Sequence, residues 1–153
     1  MDAVTRQLVV FNLSGRRYAL HLSAVERAFR IAEITPLPKA PDIVLGIVNI
    51  QGRIAPVLDI RRRFGLPGRP IDLSDHLIMA RTCKRAVAFV TDAVVGVVQR
   101  LQTELTAADR VLDNLQYVEG VAKLDDGLIL IHDLDTFLSP VEEETLQQVI
   151  ASA

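Results

Sequence analysis

The residues of this chain best able to do chemistry are three histidines, one cysteine and a short acidic run. His132, Asp133 and Asp135 stand together as His-Asp-x-Asp, a grouping that could hold a metal ion or pass a proton to a substrate. His21 and His76 lie far away in sequence, and no HExxH or Cys/His pairing supplies the further ligands of a zinc centre. Cys83 is the single cysteine; it excludes an intrachain disulfide and fits a reducing compartment as a passive thiol. No GxSxG elbow, Walker loop or GxGxxG fingerprint occurs, and no serine stands in a nucleophile context. A small metal-dependent enzyme using His132, Asp133 and Asp135 is thus an alternative without reaction-specific spacing. The expectation is a protein with no catalytic residue, no metal and no cofactor.

Asp133 has a second explanation, because it closes one copy of a repeat. Gly46 opens an apolar strand, a turn and a second apolar strand follow, and Asp59 ends the unit; the same layout runs from Gly120 to Asp133, 74 positions later. A second match precedes it: Leu8 to Leu13 corresponds to Leu77 to Thr82, and Arg16 to Val25 corresponds to Arg85 to Val94, at an offset of 69. Ser14-Gly15 separates the β-prone runs Gln7–Leu13 and Arg17–Leu22 and reads as a hairpin turn, as does Asp125-Asp126-Gly127. Two sets of four or five strands in one order imply a duplicated β fold.

A chain of 153 residues can bury a core of its own without staples. Half its residues are apolar, chiefly Val, Leu, Ile and Ala, and the branched ones favour strands. The formal charge of −2 offers no long-range pull on phosphate backbones, and few aromatics are available for stacking, which argues against nucleic acid. The start MDAVTRQLVV carries Asp2 and Arg6 and lacks the order of a signal peptide. The most apolar segment, RAVAFVTDAVVGVVQR, is broken by Asp92 and falls short of a membrane span, so a cytoplasmic protein without membrane insertion is expected.

GLPGRPIDLSD, Gly65 to Asp75, reads as the crossing between the two halves. Asp59–Phe64 and Asp133–Leu138 each begin with an acid at a helix-start position and predict short helical turns. Ser139, Pro140 and three glutamates predict a C-terminal helix whose Leu146, Val149 and Ile150 dock on the body. The run Arg61-Arg62-Arg63 is either a solvated face or a patch for an acidic partner. In Ala93–Val98, AVVGVV, valines point to both faces of a strand, which is either buried between the halves or lines an exposed apolar groove.

From Gln7 to Leu138 the chain resembles the CheW family, the coupling adaptors of bacterial chemotaxis. The resemblance is carried by Gly46-Ile47-Val48-Asn49, Gly52, Pro56-Val57, Asp59 with Arg61 and Phe64, then Gly120-Val121, Asp126-Gly127 and Asp133. It implies an all-β fold of two intertwined five-stranded SH3-like barrels related by a pseudo-twofold, with short helices and a C-terminal helix. The single domain, 1–153, would comprise a first barrel mainly of 16–70, a second mainly of 76–138 with the N-terminal strand exchanged, and a helix over 140–151. It also implies a non-enzymatic adaptor joining a chemoreceptor's cytoplasmic tip to the regulatory domain of a CheA-type histidine kinase.

By the same resemblance the receptor-contact positions fall on Val25, Gly46, Val94 and Val97, and Arg27, Phe29, Val48, Asn49 and Gln51 complete the expected partner-binding set. Two positions depart from the family's usual pattern. Gln51 stands where Asn-Leu-Arg-Gly would place an arginine, and Arg27 stands where many members carry a glutamate, with Glu26 one position early. These changes fit a compensated charge swap with one partner, or a related protein serving a non-flagellar array such as surface motility or second-messenger control. A regulator that binds only the kinase is a further reading.

Overall fold

The computed structural model describes residues 4–107, 117–125 and 127–151. Eleven strands are described: β1 (Thr5–Leu13), β2 (Arg16–His21), β3 (Val25–Arg30), β4 (Val44–Ile50), β5 (Arg53–Leu58), β6 (His76–Arg81), β7 (Ala86–Thr91), β8 (Ala93–Leu101), β9 (Leu105–Ala107), β10 (Val118–Leu124) and β11 (Gly127–His132). Two helices join them, α1 (Ile60–Arg63) and α2 (Pro140–Ala151). One sheet runs β3-β6-β7-β5-β4 and the other β8-β1-β2-β11-β10-β9. Each curls into an SH3-like barrel, and replacing every strand by its repeat equivalent turns the first order into the first five strands of the second. Asp2 and Asp126 lie outside the described residues.

The division of the chain between barrels corrects the sequence reading. More than the first strand is exchanged: β1 and β2 both sit in the second barrel, and β6 and β7 both sit in the first. The reason is local. Ser14 and Gly15, at φ of 52° and 76°, close a two-residue hairpin that ties β2 to β1 in antiparallel register, so neither can move without the other. β2 then meets β11, and β7 meets β5, as parallel neighbours. The second sheet also gains the short β9, whose counterpart in the first half is only a single bridge from Thr35 to Ile47.

Alternation along the four central strands divides the core into three. Leu8, Val10 and Ala19 point into the second barrel with Ala122, Ile129 and Ile131. Their repeat equivalents Leu77, Met79 and Ala88 point into the first with Val48, Ala55 and Val57. The opposite faces, Phe11, Leu13, Tyr18 and Leu20 from one sheet and Ile78, Ala80, Val87 and Phe89 from the other, meet between the barrels in the largest cluster. Phe11 and Phe89 touch there with centroids 5.4 Å apart.

The expected turns form where acids were placed to start them. The Asp59 side chain accepts from Arg62 N–H at 3.2 Å, and Asp133 accepts from Asp135 N–H at 3.1 Å. Ser139 and Glu142 make a reciprocal capping box at the head of α2, with contacts of 2.8 and 3.1 Å. Leu146 is fully buried in the inter-barrel cluster, but Ile150, expected beside it, is exposed. Glu143 takes the buried place instead, paired with Arg85. Among the described residues no helix is long and apolar enough to cross a membrane.

The glycines that open the repeat have a steric cause. At Gly46, φ is +157° and a Cβ would lie 2.2 Å from the Thr35 carbonyl oxygen; at Gly120 it would lie 2.8 Å from that of Thr106. Backbone of the neighbouring segment, Thr35 beside β4 and Thr106 of β9 beside β10, fills that space at each. Gly46→Ala is expected to lose at least about 2 kcal/mol in urea denaturation, from strain plus overpacking. Gly15→Ala, with positive φ but open space, should lose only about 1 kcal/mol. Equal losses would contradict the close-approach explanation.

Candidate functional site

Seven of the nine expected contact residues fall into three groups. Val25 and Val94, repeat equivalents at the starts of β3 and β8, are half-buried and both border the inter-barrel cluster. Arg27, Phe29 and Gln51 come together around a cleft of about 200 Å3 at the end of the first barrel, with Glu26, Ile50, Arg53 and Met79. Gly46 and Val48 do not reach a surface, which corrects the expectation for these two. Val48 is 1% exposed inside the first barrel, and Gly46 is covered by Thr35. Asn49 is exposed but works locally: its Oδ1 accepts from Gly52 N–H at 3.0 Å. That bond braces the β4–β5 turn, in which Gln51 and Gly52 have φ of 52° and 87°.

For AVVGVV the structure selects one of the two readings. β8 is a sheet edge, bonded on one side to β1 and open on the other. Val94 and Val98 turn inward, while Val95 and Val97 are 53% and 55% exposed. A bulge makes the change of aim: Val10 opposes Gly96 and Phe11 opposes Val94, leaving Val95 unpaired, and Gly96 adopts φ of +148°. The result is an open apolar edge carrying Val95, Val97 and Leu101.

A polar network that sequence reasoning missed secures the corner before that edge. The Asp92 carboxylate receives Arg61, Arg69 and the Ser14 N–H, the last at 2.8 Å. Burial works to raise the Asp92 carboxyl, but Arg61, Ser14 and Arg69 outweigh it and hold it below the usual carboxylate range. Arg69 also grips Asp75 with bonds of 2.6 and 2.9 Å, which orders the crossing segment. In the sequence Asp92 stands out only as a charge interrupting an apolar run. The arginine run divides accordingly: Arg61 is in this network, Arg63 pairs with Glu142 at 2.6 Å, and Arg62 is exposed 3.6 Å from Asp42. It is neither a uniform solvated face nor one patch.

The residues suspected of chemistry are each engaged elsewhere. Asp133 caps its turn, Asp135 accepts the Cys83 N–H at 2.7 Å, and His132 is buried against Tyr18, Phe64 and Phe137. Among the described residues no three His, Cys, Asp or Glu side chains gather as metal ligands would. His21 contacts Glu119 at 2.8 Å.

A CheW-like domain profile matches residues 7–142, nearly the whole chain. The chain belongs to the CheW-like domain family. It is similar to the chemotaxis protein CheW of Thermotoga maritima, 28% identical over 93% of this chain and 91% of that one. It is also similar to the CheW of Klebsiella aerogenes, 24% identical over 99% and 92%. The crystal structure of the scaffolding protein CheW from Thermoanaerobacter tengcongensis superposes with a TM-score of 0.80 at 28% identity, covering 89% of this chain and 94% of that one. The CheW-like chain is therefore a chemotaxis scaffold of the same two-barrel fold.

In this CheW-like chain His132 is a structural residue with a measurable signature. Burial drives its pKa down to about 4, against a weaker opposing pull from the Tyr117 backbone. Between the unfolded value near 6.5 and about 4, the unfolded chain binds the proton and the folded chain does not. Stability should therefore fall as pH drops across that window, by about 3 kcal/mol in all. The depressed carboxylates Asp75, Asp92 and Glu142 lose their stabilisation at lower pH, below their ordinary range. His132→Phe should flatten the upper window in chemical denaturation; an unchanged slope there would contradict the assignment.

Proposed function

We propose that this chain is a non-enzymatic adaptor that couples a chemoreceptor's cytoplasmic tip to the regulatory domain of a CheA-type histidine kinase. It would act in the cytoplasm, at arrays on the inner face of the membrane. The observation that carries this reading is the contrast between the two equivalent edges. On β3 three of the four exposed positions, Glu26, Arg27 and Arg30, are charged and the fourth is the small Ala28, the usual protection of an open strand. On β8 three of the four exposed positions, Val95, Val97 and Leu101, are large and apolar, and the fourth is Gln99. An apolar edge left open on a repeat whose other copy is guarded fits a surface covered by a partner.

A receptor helix laid along β8, against Val94 and Val97 and towards Val25, would be held mainly by apolar burial. That term is about 25 cal/mol per Å2 before the cost of association. The first-barrel end, with Arg27, Phe29 and Gln51, is left for the kinase. A non-flagellar array is a second reading, favoured by the positive charge at Arg27 and the missing one at Gln51. Pull-downs with receptor tips and kinase domains from each kind of array decide between them.

Val97→Asp tests the receptor surface. Val97 is exposed, so the variant should keep its circular-dichroism spectrum and melting temperature while losing co-sedimentation with receptor-bearing membranes at least about tenfold. Undiminished co-sedimentation would remove β8 as the receptor surface. Loss of the folded spectrum would instead place Val97 among the stabilising contacts.

A further inference from the structure

The end of the first barrel holds more positive charge than it neutralises. Glu26 is the one carboxylate lining its cleft, and Arg53 occupies both Glu26 oxygens. That hydrogen bonding is the main reason the Glu26 carboxyl sits below its ordinary value, and the field of Arg81 adds to it. Among the described residues neither Arg27 nor Arg81 makes an ion pair. Two guanidiniums, Arg27 and Arg53, thus line a cleft with one carboxylate, and the field of Arg81 reaches it as well, in a chain whose total formal charge is −2.

Arg27 is unneutralised but oriented. Its guanidinium lies 5.4 Å from the Phe29 ring centroid, a contact that limits the side chain's rotamers while leaving its charge and its fork of donors available. Phe29, Ile50 and Met79 give the cleft apolar walls, and Gln51 stands at its rim on the turn braced by Asn49. The volume of about 200 Å3 has room for a single side chain.

We propose that this cleft receives an acidic side chain, Asp or Glu, presented by the kinase regulatory domain, and that Arg27 is the residue that sets this preference. Gln51 supplies an uncharged second donor. The inference rests on the coupling function proposed above and adds the sign of the partner's charge. A carboxylate entering the cleft meets a guanidinium already positioned for two parallel hydrogen bonds, while Arg53 stays committed to Glu26. A basic partner residue would meet the uncompensated charge of Arg27 and be rejected.

The test is titration calorimetry of the full chain with its kinase's regulatory domain and, separately, with the receptor tip. Wild type, Arg27→Glu and Arg27→Gln are compared at about 50 and about 300 mM salt. Arg27→Glu should weaken kinase-domain binding at least about tenfold and Arg27→Gln less, with receptor-tip binding and melting temperature unchanged. Wild-type affinity should fall more steeply with salt than that of Arg27→Gln. Equal or tighter kinase-domain binding by Arg27→Glu overturns the inference and leaves the coupling function standing. No wild-type binding to the kinase domain overturns the coupling function and the inference with it.

Discussion

Everything in this molecule depends on burying both faces of four strands. β1, β2, β6 and β7 each put alternate side chains into a barrel and the others into the space between barrels, so one period-2 pattern serves two cores at once. Neither half of the chain could do this alone. The β1–β2 hairpin finds its barrel among β8, β10 and β11, and the β6–β7 hairpin finds its own among β3, β4 and β5. Exchange is therefore the condition under which a duplicated sequence closes two small barrels, and it fixes which strands remain as edges.

The edges are where the two copies diverge. Equivalent strands β3 and β8 occupy equivalent positions, yet one carries charge outward and the other valine. The corner leading into β8 is held by Asp92 with Arg61, Arg69 and Ser14, groups drawn from the first hairpin, α1, the crossing segment and the β7–β8 junction. That network, part-buried at Arg61 and Asp92, ties the start of the apolar edge to the first hairpin and the crossing segment. The edge can then stay open without being loose, as the proposed partner surface requires.

The repeat was legible in the sequence because duplication preserves parity: Leu8 and Leu77, or Ala19 and Ala88, keep their faces across the offset. The capping acids Asp59 and Asp133 were legible for a similar reason, since their role is local. The extent of strand exchange was not, because it depends on which hairpin pairs with which sheet, a non-local choice. Gly46 and Val48 were expected at a surface and lie under Thr35 and inside the first barrel; motif position alone does not report burial. The Glu26–Arg53 pair joins β3 to β5 over a separation of 27 residues and leaves no periodic trace, and the many roles of Asp92 are equally hidden in a single acid between apolar runs.

As the proposed adaptor, the protein would make no bonds and break none, and would act by placing two others. His132, the residue most suggestive of chemistry, is a buried ring in an aromatic cluster. The most direct measurement is the autophosphorylation rate of the kinase reconstituted with receptor-bearing membranes, with and without this chain. The account predicts that the chain brings the kinase rate under control of the receptor's ligand, while taking up no label itself. A kinase rate indifferent to the chain's presence, or phosphate transferred onto the chain, would contradict it.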